Sequence, residues 1–131
     1  MPETNHDFVQ RIYDEFNERL ELPRWALDPE IDWWPPVDEP DNDGRHGADE
    51  VIAYVGDWVK SFADYRCEVE NLVELSDRIA AECVLHGRIR GSDASLTRPL
   101  TQVWTVRDGL VTEVREYRTI AAAVAAQGSG D

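Results

Sequence analysis

Short strand-like segments separated by tight turns fill the second half of the chain, and this pattern restricts the fold more than any other feature. Ser76-Asp77 and the stretch 107–109 (Arg-Asp-Gly) are turn sequences, and 91–96 is a longer turn. Consecutive strands joined by short turns pair antiparallel, so we expect an antiparallel meander. Its strands are predicted, from β-branched and aromatic enrichment, at 65–75, 78–90, 98–107 and 110–118.

Helical periodicity dominates the first half of the chain. Apolar residues recur at helical spacing over about 5–19, with Asn5 as the expected N-cap, and again over about 48–62. A short helix at 22–27 and a strand at 30–34 lie between them. The expected buried positions of the two longer helices are Phe8, Ile12, Phe16, Leu20, Val51, Val55, Trp58 and Phe62.

Helices followed by a meander define an α+β domain. A long curved sheet wrapped around helices makes a cone whose open end can admit a ligand. The chain length of 131 residues fits one domain, with a core over about 5–120 and a tail at 121–131 that could begin with a short helix. The polar stretch 37–47, rich in Pro, Asp and Gly, predicts a loop near the mouth of the cone.

The charge balance argues against several classes of partner. Asp and Glu number 27 against 13 Lys and Arg, which gives a net charge of −14. Nucleic-acid binding normally needs a basic surface, and anionic membranes repel such a chain. No apolar stretch approaches the roughly 18–20 residues of a membrane span, and the first residues do not resemble a signal sequence, so we expect a cytoplasmic protein.

The two cysteines predict neither a disulfide nor a metal site. A turn at 76–77 pairs residues whose numbers sum to about 153. Cys67 and Cys83 would then lie about three residues out of register, roughly 10 Å apart at 3.3 Å per residue. That separation is beyond the reach of a disulfide, so we expect two free thiols. No cofactor or metal motif is found either, and we expect a cofactor-free site.

Strand parity decides which side chains face the interior of the cone. A three-residue loop at 107–109 pairs Val106 with Leu110 and is the arrangement we favour. It places Gln102 and Glu116 as isolated polar groups on one apolar face, whose other members are Leu100, Trp104, Val106, Leu110, Thr112 and Val114. A two-residue loop would instead turn Val111, Glu113, Arg115 and Tyr117 inward.

Several segments together are similar to the nuclear transport factor 2-like superfamily, and specifically to its SnoaL-like, polyketide-cyclase-like branch. The resemblance covers residues 5–120 and is carried by VQRIYDEFNERLEL, ALDPEIDWWPP, GRHGADEVIAYV and LTQVWTVRDGLVTEVREYR. It implies the cone-shaped fold and a pocket for a small hydrophobic molecule. The superfamily hosts isomerases, cyclases, hydrolases, dehydratases and non-catalytic binders, so the fold does not select one activity.

The resemblance makes Glu116 the leading catalytic candidate. In limonene epoxide hydrolases a similar R-D-Y segment supplies a catalytic carboxylate, and Arg115-Glu116-Tyr117 matches it here. The alternative is a structural carboxylate that binds a backbone group or Arg118. The hydrolase's Arg and second Asp are absent from the matching stretch 81–85, which argues against epoxide hydrolysis.

The ketosteroid isomerases share the cone, and their functional positions are changed in this chain. Trp33 replaces the catalytic base, and Ile12, with Tyr13 beside it, replaces the phenol donor. Gln102 or Val103 replaces the second acid. Gln102 could still donate a hydrogen bond to a carbonyl oxygen, or could equally satisfy a buried backbone group. Trp33, Tyr54, Trp58 and Trp104 are expected either to line the pocket or to fill it, and we also expect Ile12 and Val114 to contact the ligand.

Three functions fit these observations. The first is a cofactor-free isomerase, cyclase or lyase for a small hydrophobic carbonyl compound, with Glu116 as acid and base and Gln102 or Tyr54 polarising an oxygen. The second is a binding or accessory protein with the same pocket and no reaction. The third is an interaction module whose pocket is filled. A homodimer through the outer sheet face is expected by analogy and from the outer residues Val84, Val103 and Val111.

Overall fold

The computed structural model describes residues 3–40 and 42–130, so the last residue of the predicted tail lies outside the described residues. The α+β class is confirmed. The helices are α1 (Asn5–Arg19), a short 3-10 helix (Arg24–Ala26), α2 (Ala48–Lys60) and α3 (Ile120–Gly130). The strands are β1 (Leu27–Trp34), β2 (Arg45–His46), β3 (Phe62–Leu75), β4 (Arg78–Ile89), β5 (Ser95–Arg107) and β6 (Leu110–Tyr117).

The strands form one mixed sheet rather than a purely antiparallel one. Their order is β2-β1-β6-β5-β4-β3, and the predicted meander occupies β3 to β6. β1 pairs parallel with β6, with Trp33 opposite Val114. The short turns predict only pairs of consecutive strands, whereas β1 reaches β6 through a long connection that contains α2. Across the described residues the sheet stays open, with β2 and β3 at its ends.

Helices α1 and α2 pack on the inner face of the sheet and create the main core. The N-cap of α1 is Thr4, one residue before the predicted Asn5, because the Thr4 side chain accepts a hydrogen bond of 3.0 Å from the Asp7 backbone N–H. α2 ends at Lys60, so Phe62 opens β3 instead of closing the helix. The largest fully buried side chains of this core are Trp104, Ile12, Ile31, Val9, Val51, Val111 and Val114.

Helix α3 covers part of the opposite, outer face of the sheet. Ala123 is fully buried against Ala80 and Val103. Val103 is therefore not exposed, and Val111 lies in the inner core instead of on the outer face. The prediction that these two valines belong to an exposed apolar patch on the outer face, which supported the homodimer, is therefore wrong. The homodimer itself stays a prediction.

None of the helices within the described residues is long and apolar enough to cross a membrane.

Candidate functional site

A cavity of about 90 Å³ lies between α1, α2 and the inner face of the sheet. That volume holds only a few water molecules or one small organic molecule. Its walls are aromatic and aliphatic, with a small number of polar groups at the floor and at the mouth. The lining residues are Ile12, Tyr13, Phe16, Leu22, Trp33, Pro36, Glu39, Tyr54, Val55, Trp58, Tyr65, Cys67, Leu85, Arg98, Leu100, Gln102, Trp104 and Glu116.

The hairpin between β5 and β6 brings Glu116 to the cavity by a route that the sequence did not reveal. Asp108 and Gly109 have φ angles of +52° and +79°, and Arg107 pairs with Leu110. Positive φ at both central residues defines a two-residue turn of the type that Asp-Gly favours. The preferred three-residue loop is therefore wrong.

A β-bulge restores the expected parity beyond the turn. Val106 pairs with Val111, but the next pair joins Thr105 to Glu113, so Thr112 is an extra residue in β6. Val111 replaces the predicted Leu110 and Thr112 as an inward residue. After the bulge Gln102 lies directly opposite Glu116. The three-residue loop would have placed Gln102 opposite Val114, with Glu116 on the same face two residues further along β6.

Glu116 lines the cavity, and its carboxyl group is an unusually weak acid. Part of the side chain contacts the cavity, although the carboxyl lies well inside the protein. Burial raises the pKa of Glu116 to about 7, and the negative charge of Glu39 at the mouth adds to the rise. Gln102 opposes this rise in the pKa, because its Nε2 donates a hydrogen bond of 2.8 Å to Glu116 Oε2. Glu116 is not paired with Arg118, which instead binds Asp38.

A chain of hydrogen bonds fixes the orientation of Gln102. Trp104 Nε1 donates to the Tyr13 hydroxyl at 2.8 Å, and that hydroxyl donates to Gln102 Oε1 at 2.5 Å. The Gln102 carbonyl is thereby occupied, so its amide nitrogen must face Glu116. Burial raises the pKa of Tyr13 well above its usual value, which keeps the hydroxyl protonated as this chain of donors requires.

The indole N–H of Trp33 lies near Glu116 and makes no hydrogen bond of normal geometry within the part of the chain that the structure describes. The residue is 3% exposed, and its Nε1 has no hydrogen-bond partner among the described residues. The indole lies close enough to Glu116 to favour the ionised carboxyl, but no acceptor completes a bond of normal geometry. A buried N–H without a partner is costly, so the group is suited to a ligand oxygen.

Most of the residues predicted as ligand contacts border the cavity. Trp33, Tyr54, Trp58 and Trp104 line the cavity, and so does Ile12. Val114 is fully buried but is not a lining residue.

Some of the tryptophan rings that border the cavity also pack against one another beside it. The rings of Trp33 and Trp104 pack edge to face at 6.0 Å, and Trp104 packs in the same way on Tyr13 at 5.4 Å. This packing is one reason why the remaining volume is small.

Charged residues form the mouth of the cavity. Glu39, on the loop between β1 and β2, accepts a hydrogen bond from Arg98 Nη2. Arg118 Nη2 lies 3.0 Å from the same carboxyl oxygen, and Arg118 Nε contacts both carboxyl oxygens of Asp38 at 3.1 and 3.2 Å. These pairs hold the acidic loop over the cavity. Arg45 stacks on Tyr54, with its guanidinium carbon 4.5 Å from the centre of the ring.

Sequence reasoning missed several lining residues. Arg98 has the same strand parity as Gln102, so the signal for it was present. Tyr13 was noted only as the neighbour of Ile12, although it lies on the buried side of α1. Glu39 could not be found, because nothing in a loop sequence indicates where its side chains meet the sheet.

The two cysteines are free and buried, as expected. Their separation is smaller than predicted, because a register shift after Val69 places Cys67 opposite Leu85 and Val69 opposite Cys83. The thiols are diagonal neighbours. A hydrogen bond with Cys83, together with burial, raises the pKa of the Cys67 thiol well above its usual range. A protonated thiol is a poor nucleophile, so the geometry does not favour cysteine chemistry.

Known structures identify the architecture as that of NTF2-like proteins. An NTF2-like protein of unknown function from Burkholderia pseudomallei K96243 is similar with a TM-score of 0.74 and 21% identity, covering 95% of this chain and 97% of that one. A proposed SnoaL-like polyketide cyclase from Jannaschia sp. CCS1 gives 0.72 and 19%, covering 100% and 99%. A hypothetical protein with a ketosteroid isomerase-like fold from Catenulispora acidiphila DSM 44928, in complex with trimethylamine, gives 0.71 and 12%, with 95% of each chain covered.

The family within this fold follows from the sequence. The family model for the SnoaL-like domain matches residues 9–114, and the chain therefore belongs to the SnoaL-like domain family. No curated protein matches it.

Proposed function

We propose that the protein binds a small hydrophobic carbonyl compound and catalyses proton transfer on it without a cofactor. The observation that carries the proposal is a carboxyl group with a pKa of about 7, facing a cavity with mainly apolar walls. Such a group is present in both its acid and its base form near neutral pH. It can remove a proton from one atom and return it to another.

The residues around Glu116 fit distinct roles in such a reaction. The Glu116 carboxylate takes a proton from the carbon next to the carbonyl, and the C–H electron pair becomes the double bond of an enolate. Negative charge then develops on the carbonyl oxygen, where the unused Trp33 N–H can donate. Gln102 has its carbonyl on Tyr13 and an N–H on Glu116, so we assign it the positioning of the carboxylate.

The cavity volume limits the substrate to about one small ring, unless the mouth opens. A small cavity also fits the alternative of an interaction module with a filled pocket. The buried acid favours the enzyme, because a carboxyl whose ionisation is disfavoured weakens the fold at neutral pH and packing alone gives no reason to keep it. A proton-transfer site does give such a reason.

The conversion of 3-cyclopentenone to conjugated 2-cyclopentenone tests the proposal. Removal of a proton at C2 gives a dienolate, and return of the proton at C4 gives the product, whose formation is followed by ultraviolet absorbance. We expect Glu116→Gln to lower the rate about 100-fold or more. Glu113→Gln is the matched control, since Glu113 lies on the same strand, pairs with Arg115 at 3.3 Å and is not a lining residue.

Three outcomes separate the alternatives. Full activity in the Glu116→Gln variant means that the assigned base is wrong. Binding of 2-cyclopentenone by the wild type, with neither isomerisation nor deuterium exchange of cyclopentanone in D₂O, identifies a binding or accessory protein. Absence of both binding and exchange supports the interaction module.

A further inference from the structure

We propose that the natural ligand carries a carboxylate, that Arg98 binds it at the cavity mouth, and that Glu39 occupies this position in the ligand-free protein. The inference rests on the cavity being the ligand site, as proposed above. It adds the substrate class, which is a small hydrophobic acid with its apolar part toward Glu116.

Strand geometry gives the cavity two chemically different ends. Arg98 and Gln102 lie on the same face of β5, four residues apart, which corresponds to about 13 Å. Gln102 marks the floor with its neutral hydrogen-bond donors, and Arg98 marks the mouth. Arg98 is the one cationic residue among the described residues that line the cavity. A ligand that spans the cavity therefore meets a positive charge at one end only.

The present partner of Arg98 shows which kind of group this guanidinium binds. A single carboxyl oxygen of Glu39 accepts a hydrogen bond from Arg98 Nη2 and also lies 3.0 Å from Arg118 Nη2. Two guanidinium groups on one carboxylate form a carboxylate site, and it is filled by a side chain from the loop between β1 and β2. Arginine binds carboxylates in a defined planar geometry, so a ligand carboxylate is the direct substitute for Glu39.

The exchange of one carboxylate for another leaves neither guanidinium unpaired. Arg98 and Glu39 are 28% and 30% exposed in their side chains, and ion pairs at this level of exposure contribute little to stability. Glu39 can leave Arg98 and keep its contact with Arg118. The movement also opens the mouth, which gives room to a ligand larger than the present cavity.

Binding of benzoate and benzamide, followed by tryptophan fluorescence and calorimetry, tests the inference. The two probes have the same ring, and only benzoate has a negative charge. We expect the wild type to prefer benzoate. Arg98→Gln should weaken benzoate binding about tenfold or more while benzamide binding changes little. Glu39→Gln should strengthen benzoate binding several-fold, because the competing carboxylate is gone. Asp64→Asn, which breaks an exposed pair with Arg88, is the control and should change neither.

Equal affinity of the wild type for both probes, or unchanged benzoate binding in Arg98→Gln, overturns the inference. Failure of both the wild type and Glu39→Gln to bind benzoate also overturns it. If Arg98→Gln does not fold, Arg98→Lys keeps the charge without the planar fork and should give intermediate benzoate affinity. The cyclopentenone assay uses a neutral ketone and the Glu116 variant, so the two proposals can fail independently.

Discussion

At the scale of single residues, Glu116 costs the protein stability. Its pKa rises from 4.5 in the unfolded chain to about 7 in the folded one. Each unit corresponds to about 1.4 kcal/mol, so the penalty reaches up to about 3 kcal/mol once the carboxyl ionises. The hydrogen bond from Gln102 reduces this cost but does not remove it.

The penalty predicts a pH-dependent difference between the wild type and Glu116→Gln. Between pH 4.5 and about 7 the folded state binds more protons at Glu116 than the unfolded state, so this residue's contribution falls as the pH rises. We expect Glu116→Gln to gain stability relative to the wild type, by up to about 3 kcal/mol, between pH 4 and pH 8.5. Denaturant unfolding at the two pH values measures the change. A difference that does not vary with pH would show that Glu116 has an ordinary pKa.

Strand alternation together with an assumed loop length predicted that Gln102 and Glu116 share a face. They do share it, because the bulge at Thr112 compensates in parity for the shorter turn. The partners of these residues were not predictable. Tyr13 joins Gln102 across 89 positions of sequence, and Arg98 joins Glu39 across 59. Such contacts depend on how α1 and the loop between β1 and β2 pack on the sheet, and no sequence spacing encodes that packing.

At the scale of elements, the turn between β5 and β6 depends on glycine. Gly109 has φ +79°, a conformation that favours glycine, and a Cβ there would meet no atom within 4 Å. Gly56 lies inside α2, and a Cβ there would also meet nothing within 4 Å. The two positions therefore differ in backbone conformation and not in available space.

This contrast predicts opposite effects of the same substitution. Gly109→Ala should destabilise the protein by about 1 kcal/mol or more, because alanine disfavours the left-handed region. Gly56→Ala should stabilise it by up to about 1 kcal/mol through helix propensity. Urea unfolding of both variants measures the pair. A loss of stability in Gly56→Ala equal to that in Gly109→Ala would contradict the explanation by conformation.

Helix α3 predicts a second pair of effects. Ala123 is fully buried on the outer face of the sheet, and its neighbour Ala122 is exposed. Ala123→Glu should lower the free energy of unfolding by about 2 kcal/mol or more, because it forces a charge against an apolar surface or undocks the helix. Ala122→Glu should change it by less than about 0.5 kcal/mol. Equal effects, measured by thermal unfolding, would mean that α3 does not dock as described.

Sequence patterns located the elements well and their connections less well. The helices and the strands of the meander were visible because periodicity and turn residues are local signals. The parallel pairing of β1 with β6 and the bulge at Thr112 were not, since both are set by contacts between distant segments. The favoured loop length was wrong, yet Glu116 still shares a face with Gln102. The two-residue turn and the bulge each shift the pairing by one residue, so the parity is kept while the register moves by two residues.

At the scale of the whole molecule, a net charge of −14 on 131 residues creates repulsion that opposes folding. We expect the unfolding temperature to rise as NaCl increases from about 0.01 M to about 0.15 M, where the screening length falls from about 30 to 8 Å. The double variant Glu70→Gln/Glu74→Gln removes two exposed acids and should raise the low-salt unfolding temperature and reduce its salt dependence. An unfolding temperature that falls with added NaCl would mean that attractive ion pairs outweigh the repulsion.

The extra residue in β6 has a consequence for how such proteins diverge. If the ladder ran without interruption from the Asp-Gly turn, Gln102 would face Arg115, and a guanidinium would take the place of the carboxyl. A lineage could therefore exchange an acidic group at the cavity for a basic one by losing an irregularity in a hairpin, without substituting Gln102, Arg115 or Glu116. Comparisons of relatives that align side-chain identities without strand pairing would overlook this change.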